Sequence, residues 1–537
     1  MKKIYLLLFS IFAFTACQNK KGLSPPNIVF ILTDDQGWGD LSLNGNTDLR
    51  TPNIDKLAAD GAFFDRFYVS PVCSPTRAEI LTGRYAVRSG VYSTSEGGER
   101  IDLDETTIAD VFKENGYKTA AFGKWHSGMQ YPYHPNGRGF EEFYGFCSGH
   151  WGDYFSPMLE RNGEITQGDG FLPDDLTSEA LRFMERQKEE PFFLYLPLNT
   201  PHSPMQVPDE WWAKYANVDL KMVNANAAKE KINKTKAAYA LAENIDWNVG
   251  RITEKLEELN LTENTIVIYL SDNGPNGWRW NDDMKGIKGS TDEGGVRSPF
   301  IISWKGMISA GQKIPQIASA LDFLPTLVDL TAISFRPQKN LDGLSLKPLL
   351  LNENADWKDR LLVNHWRSKT SIRSQDFRLD HENRLFDMRT DPGQKEDIAA
   401  NENEIFEKLM AFKTKWESEV LTELPALDER TFPVGNLEFQ HYQLPARDAK
   451  PHGNIKRSNR FPNDTFFTNW VSVNDSITWD IEVLEEGDFE VELYYTCRKE
   501  DVGSTVLLSY GESSIEKTII EAHDPALEGH EMDRLER

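Results

Sequence analysis

Short uninterrupted apolar runs recur through the first part of the chain. Residues 27–33, 191–198 and 265–270 are the clearest of them. A strand that is covered on both faces shows no polar alternation, so such runs are typical of buried strands in a parallel sheet. The pattern therefore predicts a sheet whose central strands are covered on both sides. Further strands are predicted at 63–69, 118–122 and 299–304.

Segments with helical periodicity lie between these runs. In residues 234–260, apolar side chains recur three or four positions apart, which predicts a helix with one buried face. That face consists of Ala238, Leu241, Ile245, Val249, Ile252, Leu256 and Leu259. Shorter helices are predicted at 51–58, 107–113 and 317–333. The alternation of strands and helices predicts an α/β domain.

The pattern changes beyond residue 335. Residues 335–420 are mixed, with a helix predicted at 405–416, and residues 421–465 are rich in proline and polar side chains. After that, 477–483 and 489–497 alternate with period two around Gly487-Asp488, which predicts a hairpin in an accessory β domain. Two interpretations of this domain stay open: a carbohydrate-binding sandwich, and a structural cap on the preceding domain.

The N-terminus has the pattern of an export signal. Lys2 and Lys3 precede an apolar run over 4–14, and Thr15-Ala16-Cys17 is a small-residue cleavage site. The final cysteine is similar to a bacterial lipoprotein box, although Phe14 stands where that box has an aliphatic residue. We expect an exported bacterial protein, in the periplasm or attached to the outer membrane through a lipidated Cys17. The alternative is an ordinary secretory peptide.

Composition and charge restrict the partners. The 537-residue chain has a formal net charge of -25, which argues against nucleic acid or an anionic membrane surface as a partner. Membrane contact is expected only through the lipid anchor, and an anionic substrate would need a locally positive pocket. The four cysteines form no CxxC pair, so no zinc site is predicted. A single Cys147–Cys497 bridge is left open.

Oxygen-bearing side chains follow two of the predicted buried strands. Asp34 and Asp35 come after the strand at 27–33, and Asp272 and Asn273 come after the strand at 265–270. The carboxyl ends of strands are where open α/β sheets bind ligands. Carboxylate and amide oxygens suit Ca²⁺ or Mg²⁺ rather than zinc.

Further motifs accompany these residues in a fixed order. They are Cys73-Ser-Pro-Thr-Arg77, Gly123-Lys124-Trp125-His126, His202 between two prolines, and Lys288 in the Gly-rich segment 286–299. Together with Asp34-Asp35 and Asp272-Asn273, this set resembles the type I sulfatases, the formylglycine-dependent enzymes of the alkaline phosphatase superfamily. Thr76 and Ser127 depart from the family's usual residues at positions without a catalytic role.

The resemblance implies a fold and a domain division. It implies an alkaline-phosphatase-like mixed sheet between helices, in a catalytic domain over 24–334. A smaller C-terminal α+β subdomain follows over 335–420, and residues 421–537 would form a linker and the accessory β domain. Residues 1–17 are the signal peptide.

The resemblance also implies roles for the motif residues. A maturation enzyme would oxidise Cys73 to formylglycine (3-oxoalanine), and one Ca²⁺ would be held by Asp34, Asp35, Asp272, Asn273 and modified Cys73. Arg77 would hold the hydrated aldehyde, whose hydroxyl attacks sulfur. Lys124 and Lys288 would bind the sulfate oxygens. His202, with Lys288, would protonate the leaving alcohol, and His126 would take the proton that lets sulfate depart.

Aromatic and polar residues near these motifs suggest a sugar substrate. The candidate substrate-binding residues are Trp278, Arg279, Trp280, His150 and Trp151. We expect a carbohydrate sulfatase acting on oligosaccharides of a sulfated polysaccharide, such as algal ulvan, fucan or carrageenan, or a glycosaminoglycan. Two alternatives stay open: a phosphonate monoester hydrolase or phosphodiesterase of the same superfamily, and a non-catalytic lipoprotein that binds sulfated glycans.

Overall fold

A large mixed sheet forms the centre of the protein. The computed structural model describes residues 25–353 and 357–526, so the predicted signal peptide and Cys17 lie outside the described residues. The sheet has eleven strands in the order β10-β2-β9-β8-β1-β7-β3-β4-β5-β6, with β11 beside β2. They are β1 Asn27–Thr33, β2 Ala62–Tyr68, β3 Lys118–Lys124, β4 Glu142–Phe146, β5 Met158–Arg161, β6 Glu164–Gln167, β7 Phe192–Pro197, β8 Thr265–Ser271, β9 Arg297–Ser303, β10 Gln312–Ile314 and β11 Ala318–Ser319.

Ten α-helices occur among the described residues. They are α1 Pro52–Ala59, α2 Cys73–Thr82, α3 Ile108–Glu114, α4 Leu172–Arg186, α5 Asp209–Trp212, α6 Ile232–Glu258, α7 Glu293–Val296, α8 Phe323–Thr331, α9 Lys347–Leu350 and α10 Asn403–Val420. None of the described helices is long and apolar enough to cross a membrane. The helix predicted at 317–333 is shorter than expected, because residues 318–319 form the edge strand β11.

The central strand β1 shows how the two layers of helices cover the sheet. It pairs in parallel with β7 and β8. Its side chains alternate between two cores: Phe30 packs in the core that includes α2, α3 and α8, and Val29 in the core that includes α1, α4 and α6. All seven residues of β1 are buried, as the uninterrupted apolar run predicts. The predicted α/β fold class is thereby confirmed.

A second, smaller unit follows the main sheet. Its antiparallel strands are β12 Leu362–Trp366, β13 Lys369–Arg373, β14 Phe377–Leu379 and β15 Leu385–Asp387. Helix α10 packs on them through Leu409, Trp416 and Val420. This is the predicted α+β subdomain, and its helix is longer at both ends than the predicted 405–416.

The C-terminal region contains short paired strands rather than the predicted hairpin. The pairs are β16 Phe432–Val434 with β21 Ile481–Val483, β17 Lys450–His452 with β20 Ser476–Thr478, β18 Lys456–Arg457 with β19 Phe467–Thr468, and β22 Thr505–Tyr510 with β23 Ser513–Thr518. Residues 489–496 form no strand, so the expected pairing of 477–483 with 489–497 is wrong. The first of these segments instead pairs with β16 and β17.

Candidate active site

The carboxyl ends of β1 and β8 bring the four predicted oxygen ligands together. Thr33 and Ser271, the last residues of the two strands, are partners in register, so the residues that follow them meet at one edge. The backbone amide of Asp35 donates to Oδ1 of Asp272 at 3.1 Å. Asp35 has a left-handed φ of 67°, which turns the chain sharply away from the strand. Asp34, Asp35, Asp272 and Asn273 are all buried.

Helix α2 brings Cys73 and Arg77 to the same place. Cys73 is the first residue of the helix, and Arg77 lies one turn later on the same face. The buried guanidinium of Arg77 donates to Oδ2 of Asp272 at 2.8 Å and to the carbonyl of Lys124 at 2.8 Å. The ligand atoms of Asp34, Cys73 and Asp272 lie within 4.8 Å of one another. Arg77 therefore ties α2 to the ends of β3 and β8.

Three buried oxygens in this cluster have no hydrogen-bond partner. They are Oδ1 of Asp34, Oδ2 of Asp35 and Oδ1 of Asn273. The amide nitrogen of Asn273 donates to Asp35 and to the carbonyl of Gly274, so its oxygen is the atom left over. Buried polar atoms without partners are costly and need an explanation. Unpaired hard oxygens beside carboxylates fit a Ca²⁺ or Mg²⁺ ion.

Two lysines add positive charge to the same cluster. Nζ of Lys124 lies 2.7 Å from Oδ2 of Asp34, and Nζ of Lys288 lies 2.5 Å from Oδ1 of Asp35. Burial alone would raise the pKa of Asp35, but Lys288 and His202 outweigh it and lower the pKa below its usual value. Burial likewise would lower the pKa of Lys288, and Asp35 raises it instead. Asp35 and Lys288 are therefore an ion pair at neutral pH.

His126 is held in one tautomer. It follows β3 with a left-handed φ of 61°, and its Nε2 lies 2.8 Å from the carbonyl oxygen of Thr94. A carbonyl only accepts, so Nε2 carries the hydrogen and Nδ1 carries a lone pair. Nδ1 is buried without a partner. Burial, followed by Lys124, lowers the pKa of His126 well below its usual value, so the ring is neutral and Nδ1 is available to accept a proton.

His202 has the opposite tautomer. Its Nδ1 donates to the carbonyl of Ser203 at 2.6 Å, which leaves the lone pair on Nε2, and Nε2 lies 3.6 Å from Oδ2 of Asp35. Burial and then Lys288 and Lys124 lower the pKa of His202 to about 3, although Asp35 opposes them. A proton on Nε2 therefore requires additional negative charge nearby, such as a bound anion.

The five predicted substrate-binding residues differ in their environments. The His150 ring lies beside that of His202, with centroids 5.1 Å apart. Trp278 is half-buried with Nζ of Lys229 4.5 Å above its ring, and Trp280 is tilted against Trp38.

Trp151 and Arg279 are occupied by other contacts. The Trp151 ring stacks on Phe146 at 5.0 Å and packs against the core. Arg279 is buried and donates to the Asp40 carboxylate and to the carbonyl of Asp35. The prediction that Arg279 binds substrate is corrected, because its guanidinium is enclosed in an ion pair inside the protein.

Sequence reasoning did not identify Thr94 and Asn463. Thr94 contributes through its backbone carbonyl, which no side-chain motif reveals. Asn463 comes from the C-terminal region and donates to that same carbonyl at 2.7 Å. Its surroundings in the sequence are those of a polar linker, so only the folded arrangement shows where it lies.

Two family models match the chain. The model described as Sulfatase matches residues 26–333, and the model described as N-sulphoglucosamine sulphohydrolase, C-terminal, matches residues 287–416. The N-acetylgalactosamine-6-sulfatase of Mus musculus is 33% identical over 363 residues, which cover 61% of this chain and 66% of that protein. Arylsulfatase A of Homo sapiens is 34% identical over 368 residues, with 61% and 68% covered. The chain thus spans just under two thirds of the length of the mouse protein.

Solved structures share the same fold. The structure of Ps i-CgsB in complex with k-i-k-neocarrahexaose is 31% identical with a TM-score of 0.67, and covers 73% of this chain and 93% of that chain. The putative sulfatase yidJ from Bacteroides fragilis is 22% identical with a TM-score of 0.65, covers 76% and 99%, and shows the shared fold. All six predicted catalytic residues lie inside the family matches, whereas Asn463 lies beyond both.

Proposed function

The chain belongs to the sulfatase family, whose model matches residues 26–333, and we propose that it hydrolyses sulfate esters of a carbohydrate. The observation that carries this proposal is the grouping of Lys124 and Lys288 with two neutral histidines around one set of carboxylates. The lysines supply positive charge for an anionic group in an otherwise acidic protein. The histidines supply the ring nitrogens that proton transfer needs.

In this proposal Cys73 is matured to formylglycine, and Asp34, Asp35, Asp272 and Asn273 would hold Ca²⁺ together with the modified residue. The hydrated formylglycine would supply the hydroxyl nucleophile, and a bound cation would supply a Lewis acid beside it. Burial raises the pKa of the Cys73 thiol, although Lys124 and Lys288 oppose it. An unmodified thiol would therefore stay protonated and would be a poor nucleophile.

The lysines bind and orient the sulfate. Lys124 and Lys288 each contact one carboxylate of the ligand set, so both ammonium groups lie beside the proposed cation site. Such fixed charges stabilise the charge that grows in the transition state. Arg77 keeps the end of β3 and Asp272 in register with the start of α2, and so fixes residue 73.

The histidines divide the proton transfers. Nε2 of His202 becomes an acid when the negative charge of the bound ester raises its pKa, and it then protonates the leaving alcohol. Nδ1 of His126 already carries a lone pair, and it accepts the proton whose loss releases sulfate. Lys288 assists His202 from the other side of Asp35.

For the substrate we propose oligosaccharides of a sulfated polysaccharide. Ps i-CgsB, at 31% identity, was solved with k-i-k-neocarrahexaose, and the mouse relative is named for a sulfated amino sugar. We therefore place carrageenan oligosaccharides first, with ulvan, fucan and glycosaminoglycan fragments as the comparison panel. His150, Trp278 and Trp280 are the remaining candidates for contacts with the sugar.

We also propose that the protein is exported and anchored by a lipid. The pattern of residues 1–17 supports export and lipidation at Cys17, with a periplasmic or outer-membrane position. Labelling of the native protein with radioactive palmitate is expected, and its loss in Cys17→Ser would support the anchor. Equal labelling of both proteins would contradict it.

Mass spectrometry with kinetics tests the function. The tryptic peptide 67–77 from protein made with a maturation enzyme is expected to carry an aldehyde in place of the Cys73 thiol. The wild-type protein is then expected to hydrolyse aryl sulfate and one member of the glycan panel, whereas Cys73→Ala does neither. Faster hydrolysis of a phosphate diester or phosphonate monoester than of any sulfate ester would favour the related hydrolase instead. Glycan retention without turnover would favour a binding protein.

A further inference from the structure

The side chain of Asn463 links the C-terminal region to the catalytic histidines. Asn463 lies between β18 and β19, outside the segment that the family models match. Its Nδ2 donates to the carbonyl oxygen of Thr94 at 2.7 Å. Its Oδ1 accepts from Nη1 of Arg447 at 3.1 Å and, at a longer 3.4 Å, from the backbone amide of Gly149. One amide group therefore uses both of its ends to contact the two loops beside His126.

The carbonyl of Thr94 is the group that Asn463 shares with His126. It accepts Nε2–H of His126 at 2.8 Å and Nδ2–H of Asn463, so both of its lone pairs are in use. The acceptor that fixes the His126 tautomer is itself fixed by Asn463. A rotation of the Thr94 peptide would remove that acceptor and release the imidazole.

Gly149 shows how closely these groups are packed. A Cβ placed on Gly149 would collide with Nε2 and Cε1 of the His126 ring and would lie 2.8 Å from Nδ2 of Asn463. No larger residue fits between them without moving one of the two. The imidazole is thus enclosed between the Gly149 backbone, the Thr94 carbonyl and the Asn463 amide.

Asn463 is itself held by a buried ion pair. Nη2 of Arg447 lies 2.9 Å from Oε1 of Glu99, and both side chains are almost fully buried. The carboxylate of the next residue, Asp464, lies against Gly152, in the loop that carries His150: a Cβ placed on Gly152 would be 2.5 Å from Oδ2 of Asp464. These contacts place Asn463 before any substrate arrives, which is what a positioning group requires.

We propose that Asn463 is a positioning residue for His126, acting through the Thr94 carbonyl to keep Nδ1 of the imidazole unprotonated and directed into the site. The inference rests on the proposed function, because it gives His126 its use as a base. It makes the C-terminal region part of the catalytic unit rather than a separate module.

The test uses the full-length matured protein and two matched variants. Asn463→Asp has the same shape and keeps the oxygen acceptor, but it loses the donor to Thr94 and places a carboxylate against that carbonyl. Asn469→Asp is the control, because Asn469 also donates to a backbone carbonyl, that of Asn454 at 2.8 Å, but at an exposed position away from the histidines. If N463D does not fold, Asn463→Ala is used instead, because it also removes the donor to Thr94 but adds no charge.

The kinetic result separates positioning from folding. N463D is expected to lower kcat for aryl sulfate about 10- to 100-fold, the cost of a small misplacement of a catalytic group. KM, the inhibition constant of inorganic sulfate and the thermal midpoint are expected to match those of N469D, because Lys124 and Lys288 still bind the anion. Equal kcat in N463D and N469D would overturn the proposal, and so would a parallel loss of sulfate binding and thermal stability.

A spectroscopic measurement of the His126 tautomer tests the role of Asn463 without relying on turnover. In protein labelled with ¹⁵N-histidine, the His126 signal is identified by its absence in His126→Gln. The wild type and N469D are expected to show the Nε2–H tautomer, and N463D a mixture of tautomers. The same tautomer in all three proteins would refute the role of Asn463. A wild type that is inactive on every sulfate ester would refute the proposed function, and this tautomer comparison would still stand.

Discussion

Replacement of Lys124 by methionine tests how the charges of the site are balanced. Nζ of Lys124 is completely buried and lies 2.7 Å from Oδ2 of Asp34, whose side chain is only 2% exposed. Met keeps the length of the apolar stem but removes the charge, so Asp34 is left without its cation inside the protein. Breaking a buried ion pair from one side costs about 3–5 kcal/mol of stability. We expect Lys124→Met to lose an amount of this order in urea unfolding with a chelator present.

Calcium is expected to restore much of that stability. A cation bound at Asp34 would replace the missing positive charge, so Ca²⁺ should stabilise K124M more than it stabilises the wild type. Lys288→Met is the matched control, because its Nζ contacts Asp35 at 2.5 Å but its side chain is 19% exposed, and Asp35 keeps the Asn273 amide as a donor. A smaller loss is therefore expected there.

The activity of K124M should not follow its stability. Even in Ca²⁺, kcat is expected to fall about 10²- to 10³-fold, the usual effect of removing one fixed charge from a transition-state site. A K124M protein as stable as the wild type in chelator would refute the assignment of a buried Lys124–Asp34 pair. Equal stabilisation of both proteins by Ca²⁺ would refute Asp34 as a ligand.

Three further substitutions test separate parts of the structure. His202→Gln is expected to slow a sugar sulfate about 10²- to 10⁴-fold but 4-nitrophenyl sulfate much less, because nitrophenolate leaves without protonation; equal losses would contradict an acid role. Burial raises the pKa of Glu79 from 4.5 to about 8. Between these two pH values the folded protein keeps a proton on Glu79 that the unfolded chain has lost. The free energy of unfolding should therefore fall as the pH rises from 4.5 toward 8. Glu79→Gln is expected to flatten that dependence in urea midpoints, and an unchanged slope would contradict it. Arg279→Met should lower stability and leave KM unchanged, because Arg279 pairs with buried Asp40. A raised KM in a stable variant would instead indicate that Arg279 contacts the substrate.

The main sheet and the catalytic cluster could be predicted because their signals are local. A strand buried on both faces is an uninterrupted apolar run, as in residues 27–33. The residue that follows such a strand necessarily lies at the carboxyl edge of the sheet. Asp34 and Asp272 belong to two such runs, which the structure pairs in register. That Asp34 and Asp272 lie close together follows from two features of the sequence. Each comes directly after a buried strand, and ligands bind at the carboxyl ends of such strands.

What the sequence could not predict depends on pairs that are far apart. Arg279 appears as an exposed polar residue between tryptophans until Asp40, 239 positions earlier, is found against it. Residues 489–497 alternate as a strand does, but period two describes the faces of a strand and does not name its partner. Asn463 acts on a carbonyl 369 positions away, in a segment with no motif.

The charges of the cluster bear on how the proposed anionic substrate would bind to an acidic protein. The innermost charged groups are three carboxylates, Asp34, Asp35 and Asp272, and three cations, Arg77, Lys124 and Lys288, which cancel. Burial and the neighbouring Asp34 raise the pKa of Asp272 to about 6 despite Arg77, so the carboxylates crowd one another. A divalent cation would relieve that crowding and leave the cluster with an excess of two positive charges. Cation and sulfate should therefore strengthen each other's binding by the same factor, because coupling between two sites is reciprocal. On this account, the lysines supply the positive groups that contact the anion, and the cation supplies the net positive charge that the pocket of a chain of net charge -25 needs.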